Sequence, residues 1–247
     1  MRRVLFSWHA ISIYSYPAML YLGLVFGIVA GNFAANRSGL DSLRVFLAML
    51  ILTVPALVGA RLLFVATHWE IYRREPRRIW RRSEGGSALQ GGLALMLIVS
   101  VPLLAVFSLP FGEFWDMTTF TLLIALLFTR VGCILNGCCC GQPTEGWLGL
   151  RLPNHLGVWR RRIPTRLLEA GLAALLLLGA VILWDQRPFA GAVFLGIIAT
   201  YSFGRALLEP TRETSARLGA LTTSQTAAAA FGFVAFVSLL VGWLGIY

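Results

Sequence analysis

Residues 114–141 read FWDMTTFTLLIALLFTRVGCILNGCCCG, from Phe114 through Arg130 to Gly141. The run from Phe114 to Asn136 is long enough to cross a hydrocarbon core as a helix, which takes about 20 mostly apolar residues. It nevertheless carries a cation, Arg130, six residues from its end, followed at once by small and amide-bearing residues. Scanning outward for runs of the same kind gives seven: 17–35, 43–67, 87–108, 114–136, 167–184, 188–208 and 222–246. With 57% hydrophobic and 13% charged residues and a mean hydropathy of +0.75, the 247-residue chain excludes an ordinary soluble domain. The expectation is therefore an all-α integral membrane protein, one polytopic domain over 1–247 with about seven transmembrane helices.

The connections 68–86 and 137–166 are rich in Arg, Trp, Gly and Pro, a composition that suits the headgroup layer. Short amphipathic helices lying on the membrane are expected in both. In the first apolar run Gly23, Gly27 and Gly31 repeat every four residues, which favours close approach of a neighbouring helix. The opening ten residues hold no apolar run of signal-peptide length, so the first segment is expected to be retained.

All 21 basic residues are Arg, against 11 acidic ones. If the segments alternate sides, fifteen of these arginines fall on the N-terminal side and only Arg37, Arg44 and Arg187 on the other. By the positive-inside rule that count puts the N-terminus in the cytoplasm. The surplus of Arg lies at membrane borders, where it meets anionic lipid, and no recognition motif accompanies it, so nucleic acid is not an expected partner.

Arg61, Arg130 and Arg205 remain, each inside an apolar run, where an unpaired cation is costly and points to function. The structural alternative is snorkelling, or pairing with a carboxylate to tie helices together. Arg130 stands before Gly132, Asn136, Gly137 and Gly141, so a guanidinium adjoins exposed backbone N–H groups, an arrangement that suits a phosphate. Arg205 and Glu209, at i and i+4, share a helix face, either as a salt bridge or as a carboxylate orienting the Arg toward a ligand. Glu84-Gly-Gly-Ser-Ala-Leu-Gln90-Gly91-Gly92 leads into the third run; its glycines suit anion binding by backbone donors or simply a turn. Tyr14 and Tyr16 before Pro17 read as interfacial anchors, and Arg166 with Glu169 opens another run.

The four cysteines, Cys133, Cys138, Cys139 and Cys140, lack the paired spacing of a structural zinc site, and adjacent cysteines rarely turn toward one ion. They read first as small packing residues, then as reactive thiols, and last as metal ligands; no metal and no cofactor is expected. His9, His68 and His155 fall outside the runs, and spacing assigns none of them to the Arg and Gly motifs.

Taken in order, these passages resemble the prolipoprotein diacylglyceryl transferases, bacterial membrane enzymes with seven transmembrane helices. Tyr16-Pro-Ala-Met resembles the family's Tyr-Gly-Leu-Met, Gly59-Ala-Arg61 its Gly-Gly-Arg or Gly-Ala-Arg, and Gly85-Gly-Ser-Ala-Leu-Gln90-Gly91-Gly92 its Gly-Gly-Met-Ser-Phe-His-Gly-Gly. The passage Arg130-Val-Gly132-Cys133-Ile-Leu-Asn136-Gly137-Cys138-Cys-Cys-Gly141 resembles the signature Gly-Arg-x-Gly-Asn-Phe-x-Asn-Gly-Glu-x-x-Gly. Ile163-Pro-Thr-Arg-Leu-Leu-Glu169 resembles His-Pro-Ser-Gln-Leu-Tyr-Glu, and Tyr201 to Arg212 resembles Tyr-Gly-x-x-Arg-x-x-x-Glu-x-x-Arg.

The resemblance implies transfer of a diacylglyceryl group from phosphatidylglycerol to the lipobox cysteine in the signal peptide of a prolipoprotein, in the bacterial inner membrane. It implies Arg130, Arg205 and the position of Gln90 as catalytic residues, and Tyr16, Arg61, Gly91, Gly92, Asn136, Gly137, Gly141, Glu169, Glu209 and Arg212 as substrate-binding ones. It also implies an outer-facing N-terminus, opposite to the Arg count, with the Arg-rich connections gripping anionic lipid there. Four positions depart from the family pattern: Gln90 and Ile163 stand where it has His, Cys133 where it has Asn, and Cys138 where it has Glu. Gln has no basic nitrogen. The alternatives are an inactive or altered-specificity relative that binds phospholipid or peptide, and an anion transporter.

Overall fold

A computed structural model describes residues 4–8, 11–73, 75, 88–153, 157–213, 217–218 and 221–245. Among these, seven helices are long and apolar enough to cross a membrane. They are α1 (Ser15–Arg37), α2 (Ser42–Thr67), α4 (Leu89–Phe107), α5 (Phe111–Asn136), α6 (Thr165–Leu183), α7 (Ala192–Leu208) and α8 (Thr223–Trp243), with a single turn α3 (Trp69–Tyr72) after α2. Each apolar run of the sequence became one helix, with ends displaced by a few residues. The outward faces stay apolar, as Leu175, Phe233 and Val106 show, because lipid rather than water surrounds them.

The chain forms two compact units, one of residues 35–114 and one of residues 1–34 with 115–247. In the smaller unit α2 and α4 pack almost backbone to backbone. A Cβ on Gly59 would lie 2.3 Å from the Gly91 carbonyl oxygen, and one on Gly92 would lie 2.6 Å from that of Ala56. In lipid, where apolar surface alone does not drive association, such small-residue contacts hold helices together. Asp41 caps α2 by accepting from the N–H groups of Leu43 and Arg44 at 3.0 and 3.2 Å.

In the larger unit α1 lies on α5 by the same device. A Cβ on Gly23 would meet Phe128 Cβ at 2.7 Å, one on Gly27 would meet the Thr121 carbonyl oxygen at 2.7 Å, and Thr121 Oγ1 donates to the Gly27 carbonyl at 2.8 Å. Asp116 on α5 is fully buried and accepts from Gly191 N–H at 2.8 Å and Phe194 N–H at 2.9 Å, satisfying donors at the start of α7 that have no partner within their own helix. Gly232 of α8 faces Ser202 of α7, and Gly204 of α7 faces Leu172 of α6.

The second long connection departs from the expected interfacial helix. It folds as an antiparallel hairpin, β3 (Leu150–Pro153) with β4 (Trp159–Arg162), in which Arg151 pairs with Arg161 and Pro153 with Trp159. Arg alternates with Leu only over Leu150-Arg151-Leu152, and Trp159-Arg-Arg-Arg162 shows neither period, so composition alone did not separate a two-stranded ribbon from an amphipathic helix. The other interfacial helix was expected within 68–86, of which the structure describes the single turn α3 and little more; residues 74 and 76–87 lie outside the described residues. At the N-terminus β1 (Val4–Trp8) and β2 (Ile11–Tyr14) form a second hairpin, and β5 (Arg217–Leu218) with β6 (Leu221–Thr222) a third, short one.

Backbone pairing fixes three stretches of the larger unit side by side. Gln142 N–H donates to the Thr211 carbonyl at 2.8 Å, Glu213 N–H to that of Cys140 at 3.0 Å, and Ile163 N–H to that of Gln142 at 3.0 Å. The loop after α5, the entry to α6 and the exit from α7 are thereby held together.

Candidate functional site

Within that frame the ends of α5, α6 and α7 bring five ionised side chains into one buried cluster. Glu169, one turn into α6 and 3% exposed, is its centre. Its Oε2 lies 2.7 Å from Arg130 Nη1, its Oε1 is hydrogen-bonded by Arg205 Nη1, and Arg212 Nε stands 3.6 Å from that same oxygen. Arg205 reaches back along its own helix to Glu209, Nη2 to Oε2 at 2.8 Å, and Thr222 Oγ1 donates to the other oxygen of Glu209 at 3.4 Å. Arg130, Arg205 and Glu209 are as buried as Glu169, at 8%, 6% and 3% exposure.

The count of charges decides how the cluster reads. Three guanidiniums share two carboxylates, so one positive charge is in surplus inside a low-dielectric region. Arg130 Nε and Arg212 Nε are buried without a hydrogen-bond partner among the described residues. An uncompensated buried cation with unused donors is an expensive arrangement, and an anion of single negative charge with several acceptor oxygens completes it.

Gly141 carries the frame past this cluster. A Cβ there would lie 2.0 Å from the Ile163 carbonyl oxygen and 2.6 Å from Thr165 Oγ1, so only glycine fits the close approach of the two strands. Gly141 forms a bridge with Arg212, and its carbonyl accepts from Arg162 Nη1 at 3.2 Å. Arg162, itself buried, also pairs with Glu213 at 2.8 Å. Arg166 donates from Nε to the Cys139 carbonyl at 3.3 Å and from Nη2 to Cys140 Sγ. Gly137 ends α5 at φ 76°, the left-handed conformation a helix C-terminus favours, and its N–H donates to the Cys133 carbonyl at 2.9 Å. A small cleft is bordered by Ile134, Cys140, Gly141, Pro164 and Arg166, and none of the five clustered charges lines it.

Tyr16 joins this region from α1. It packs on Gly132, whose Cβ would come within 3.4 Å of it, and lies within electrostatic reach of Arg130 and of Cys133, Cys138 and Cys139. Asn136, the last residue of α5, hydrogen-bonds the Cys138 side chain. In the loop itself, the Cys133 and Cys138 side chains hydrogen-bond with that of Cys139, and Arg212 and Arg130 lie within electrostatic reach of it.

Of the residues singled out in the sequence, Arg130, Arg205, Arg212, Glu169, Glu209, Gly137, Gly141, Asn136 and Tyr16 thus fall in the larger unit around one site. Arg61, Gln90, Gly91 and Gly92 belong to the smaller unit. There the Arg61 guanidinium sits over the rings of Tyr72 and Phe64, 5.4 and 5.8 Å from their centroids. Gly91 has a packing reason for being glycine, since its Cβ would lie 2.3 Å from Leu63 Cβ. Gln90 is the second residue of α4 and half-buried. His68 stacks on Phe64 with ring centroids 4.3 Å apart; His9, His155 and residues 84–87 lie outside the described residues.

Sequence reasoning paired Arg205 with Glu209 correctly from their spacing. It missed that Glu169 joins Arg130 and Arg205 across three helices, it left Arg162 among the headgroup arginines, and it set Arg166 beside Glu169, whereas Arg166 reaches the Cys139 carbonyl and Cys140 Sγ. The one local signal of Arg162 and Arg166 is that both flank Pro164, where the chain turns from the hairpin into α6.

Comparison with known proteins identifies the family. The sequence pattern of the family described as prolipoprotein diacylglyceryl transferase matches residues 3–241. A phosphatidylglycerol–prolipoprotein diacylglyceryl transferase 2 of Clostridium perfringens is 27% identical, covering 91% of this chain and 89% of its own. Phosphatidylglycerol–prolipoprotein diacylglyceryl transferases of Symbiobacterium thermophilum and Halalkalibacterium halodurans are 29% and 30% identical, covering 96% and 90% of this chain and 87% and 80% of theirs.

Proposed function

Since this chain belongs to the prolipoprotein diacylglyceryl transferase family, we propose that its buried arginine cluster holds the phosphate of phosphatidylglycerol while the diacylglyceryl group passes to a cysteine thiol of a lipoprotein precursor. The protein is a multi-pass membrane transferase of lipoprotein biosynthesis. The finer reading places it in the bacterial inner membrane, with the lipobox cysteine of the precursor's signal peptide as acceptor.

The observation that carries the assignment is the surplus of one buried guanidinium over carboxylates, with unused N–H donors on Arg130 and Arg212. A phosphodiester has one negative charge, which the surplus matches. In the transfer the acceptor thiol loses its proton to water, its sulfur forms a bond to the glyceryl carbon, and the C–O bond to phosphate breaks. The electron pair stays on the phosphate oxygen, and the leaving glycerol phosphate gains negative charge. Donors fixed beforehand by Glu169 and Glu209 favour that charge without having to reorganise, the condition under which electrostatic stabilisation is largest. Glu169 and Glu209 thus orient arginines rather than exchange protons. Arg130, Arg205 and Arg212 grip phosphate; Tyr16, Asn136, Gly137 and Gly141 shape its surroundings. Arg61, Gln90, Gly91 and Gly92, in the other unit, carry no part of this argument.

The test incubates the purified chain, in micelles containing phosphatidylglycerol, with a lipobox peptide and follows the peptide by mass spectrometry. A gain of one diacylglyceryl group on the cysteine, with release of glycerol phosphate, is the expected result. Binding of phosphatidylglycerol without any covalent product overturns the reading of this site as a transfer centre.

A further inference from the structure

Three of the four cysteines are left unexplained by phosphate binding. Cys133 lies in the last turn of α5, and Cys138 and Cys139 follow in the loop. Their sulfur atoms all lie within 4.8 Å of one another. Two features of the backbone bring this about. Gly137 at φ 76° reverses the chain over the end of α5, which returns Cys138 toward Cys133. Cys139 then adopts φ 57°, left-handed backbone that a residue bearing a Cβ rarely takes. In extended backbone, neighbouring side chains point to opposite faces. The reversal at Cys139 instead puts its thiol on the same side as that of Cys138. The expectation that adjacent cysteines would not converge fails at this one residue.

We propose that Cys133, Cys138 and Cys139 form a three-thiolate site for a single thiophilic d10 cation, Zn(II) or Cu(I). Bonds of about 2.3 Å from sulfur to zinc in tetrahedral geometry separate the sulfurs by roughly 3.8 Å, so the observed spacing closes onto an ion by a modest contraction. The loop is already fixed: Arg166 holds the Cys139 carbonyl, and the Cys140 carbonyl accepts from Glu213 N–H. Three thiolates with a dication carry one net negative charge, and Arg166, a buried guanidinium outside the phosphate cluster that already donates to the Cys139 carbonyl, supplies positive charge beside it. Among the described residues no imidazole or carboxylate joins the three sulfurs, so one coordination position is open to a small exogenous ligand. Soft sulfur donors select zinc and copper(I) over magnesium or calcium. This site goes beyond the transfer reaction and does not rest on it.

The experiment uses the full-length chain in detergent micelles, reduced under argon, with all four thiols counted by reaction with a thiol reagent. Co(II) is titrated as the spectroscopic probe and Zn(II) as competitor. The expected result is saturation at one Co(II) per chain, with sulfur-to-cobalt charge-transfer and visible bands that Zn(II) abolishes. Cys133→Ser, Cys138→Ser and Cys139→Ser each weaken binding by about tenfold or more, whereas Cys140→Ser, whose sulfur stands apart from the triad beside Arg166, retains the bands. Fully reduced protein that develops no charge-transfer band overturns the proposal. So do bands that survive the Cys133→Ser and Cys139→Ser substitutions, since the metal would then sit elsewhere. The readout is spectroscopic, so loss of transfer activity and loss of this site are told apart.

Discussion

Replacing Arg130 by Gln removes the surplus charge of the cluster while leaving its scaffold in place. Glu169 loses the guanidinium at 2.7 Å but keeps Arg205 on Oε1 and Arg212 at 3.6 Å. The stability lost should then be roughly the 1.5–3 kcal/mol of one hydrogen bond to a charged group. Arg205→Gln differs, because it takes the 2.8 Å partner from Glu209 and a partner from Glu169 together. Breaking buried pairs on one side costs about 3–5 kcal/mol, so Arg205→Gln unfolds at the lower temperature of the two. For catalysis both remove a donor to the growing phosphate charge, an effect on the order of 10²–10³ in rate, or roughly 2.7–4 kcal/mol. Arg130→Lys falls between, since the ammonium restores charge without the planar fork. The assay pairs thermal unfolding in detergent with kcat/KM for diacylglyceryl transfer to a lipobox peptide. The reasoning is refuted if Arg130→Gln keeps transfer within about threefold of the parent, which is less than about 0.7 kcal/mol of barrier, or if it destabilises as much as Arg205→Gln does.

Gly141→Ala places a Cβ 2.0 Å from the Ile163 carbonyl oxygen and must push the 163–165 strand away from the Arg212 bridge; a loss of about 1–3 kcal/mol by thermal unfolding, with slower transfer, is expected, and parental values in both would show the approach to be slack. Asp116→Asn keeps shape but leaves one acceptor oxygen for two buried N–H groups, those of Gly191 and Phe194. It should lower stability by about 1–3 kcal/mol while the Glu169 cluster still binds phosphate, so an unchanged melting temperature contradicts the capping role. Gln90→His restores the residue that the family carries before Gly-Gly. Faster transfer by mass spectrometry is the expected outcome, and an unchanged rate means that proton removal at this position does not limit the reaction.

The helices were legible in the sequence because a hydrocarbon core leaves little freedom: each crossing needs its own long apolar run, and backbone groups must be satisfied inside it. Gly23 and Gly27 disclosed their packing face for a related reason, since a four-residue spacing keeps small residues on one side of α1. Arg205 with Glu209 was legible because both lie on one helix, four residues apart. Glu169 was not recognisable as the hub, because its three arginines come from positions 36 to 43 residues away on other elements, and no local spacing reports that. The hairpin of β3 and β4 was missed because a headgroup-layer composition of Arg and Trp suits strand and helix alike. The thiol cluster was ranked below packing because spacing alone assumes ordinary backbone, and the φ of Cys139 departs from it.

A buried ion network is weak ground for stability, since well-packed apolar residues of the same size often hold helices at least as firmly. If tying α5, α6 and α7 together were the only task, equal numbers of Arg and Glu would do it at less cost. This cluster instead keeps one more cation than anion, with all of Arg130, Arg205, Glu169 and Glu209 nearly inaccessible. Such an imbalance is costly at membrane depth and becomes favourable once an anion enters. The same excess that weakens the empty site therefore tightens phosphate binding, and tightens it further as the C–O bond breaks and charge accumulates on the departing phosphate. Residues that orient the arginines, Glu169 above all, are then constrained from both sides: removing their charge strands cations, and adding to it cancels the surplus on which the anion depends.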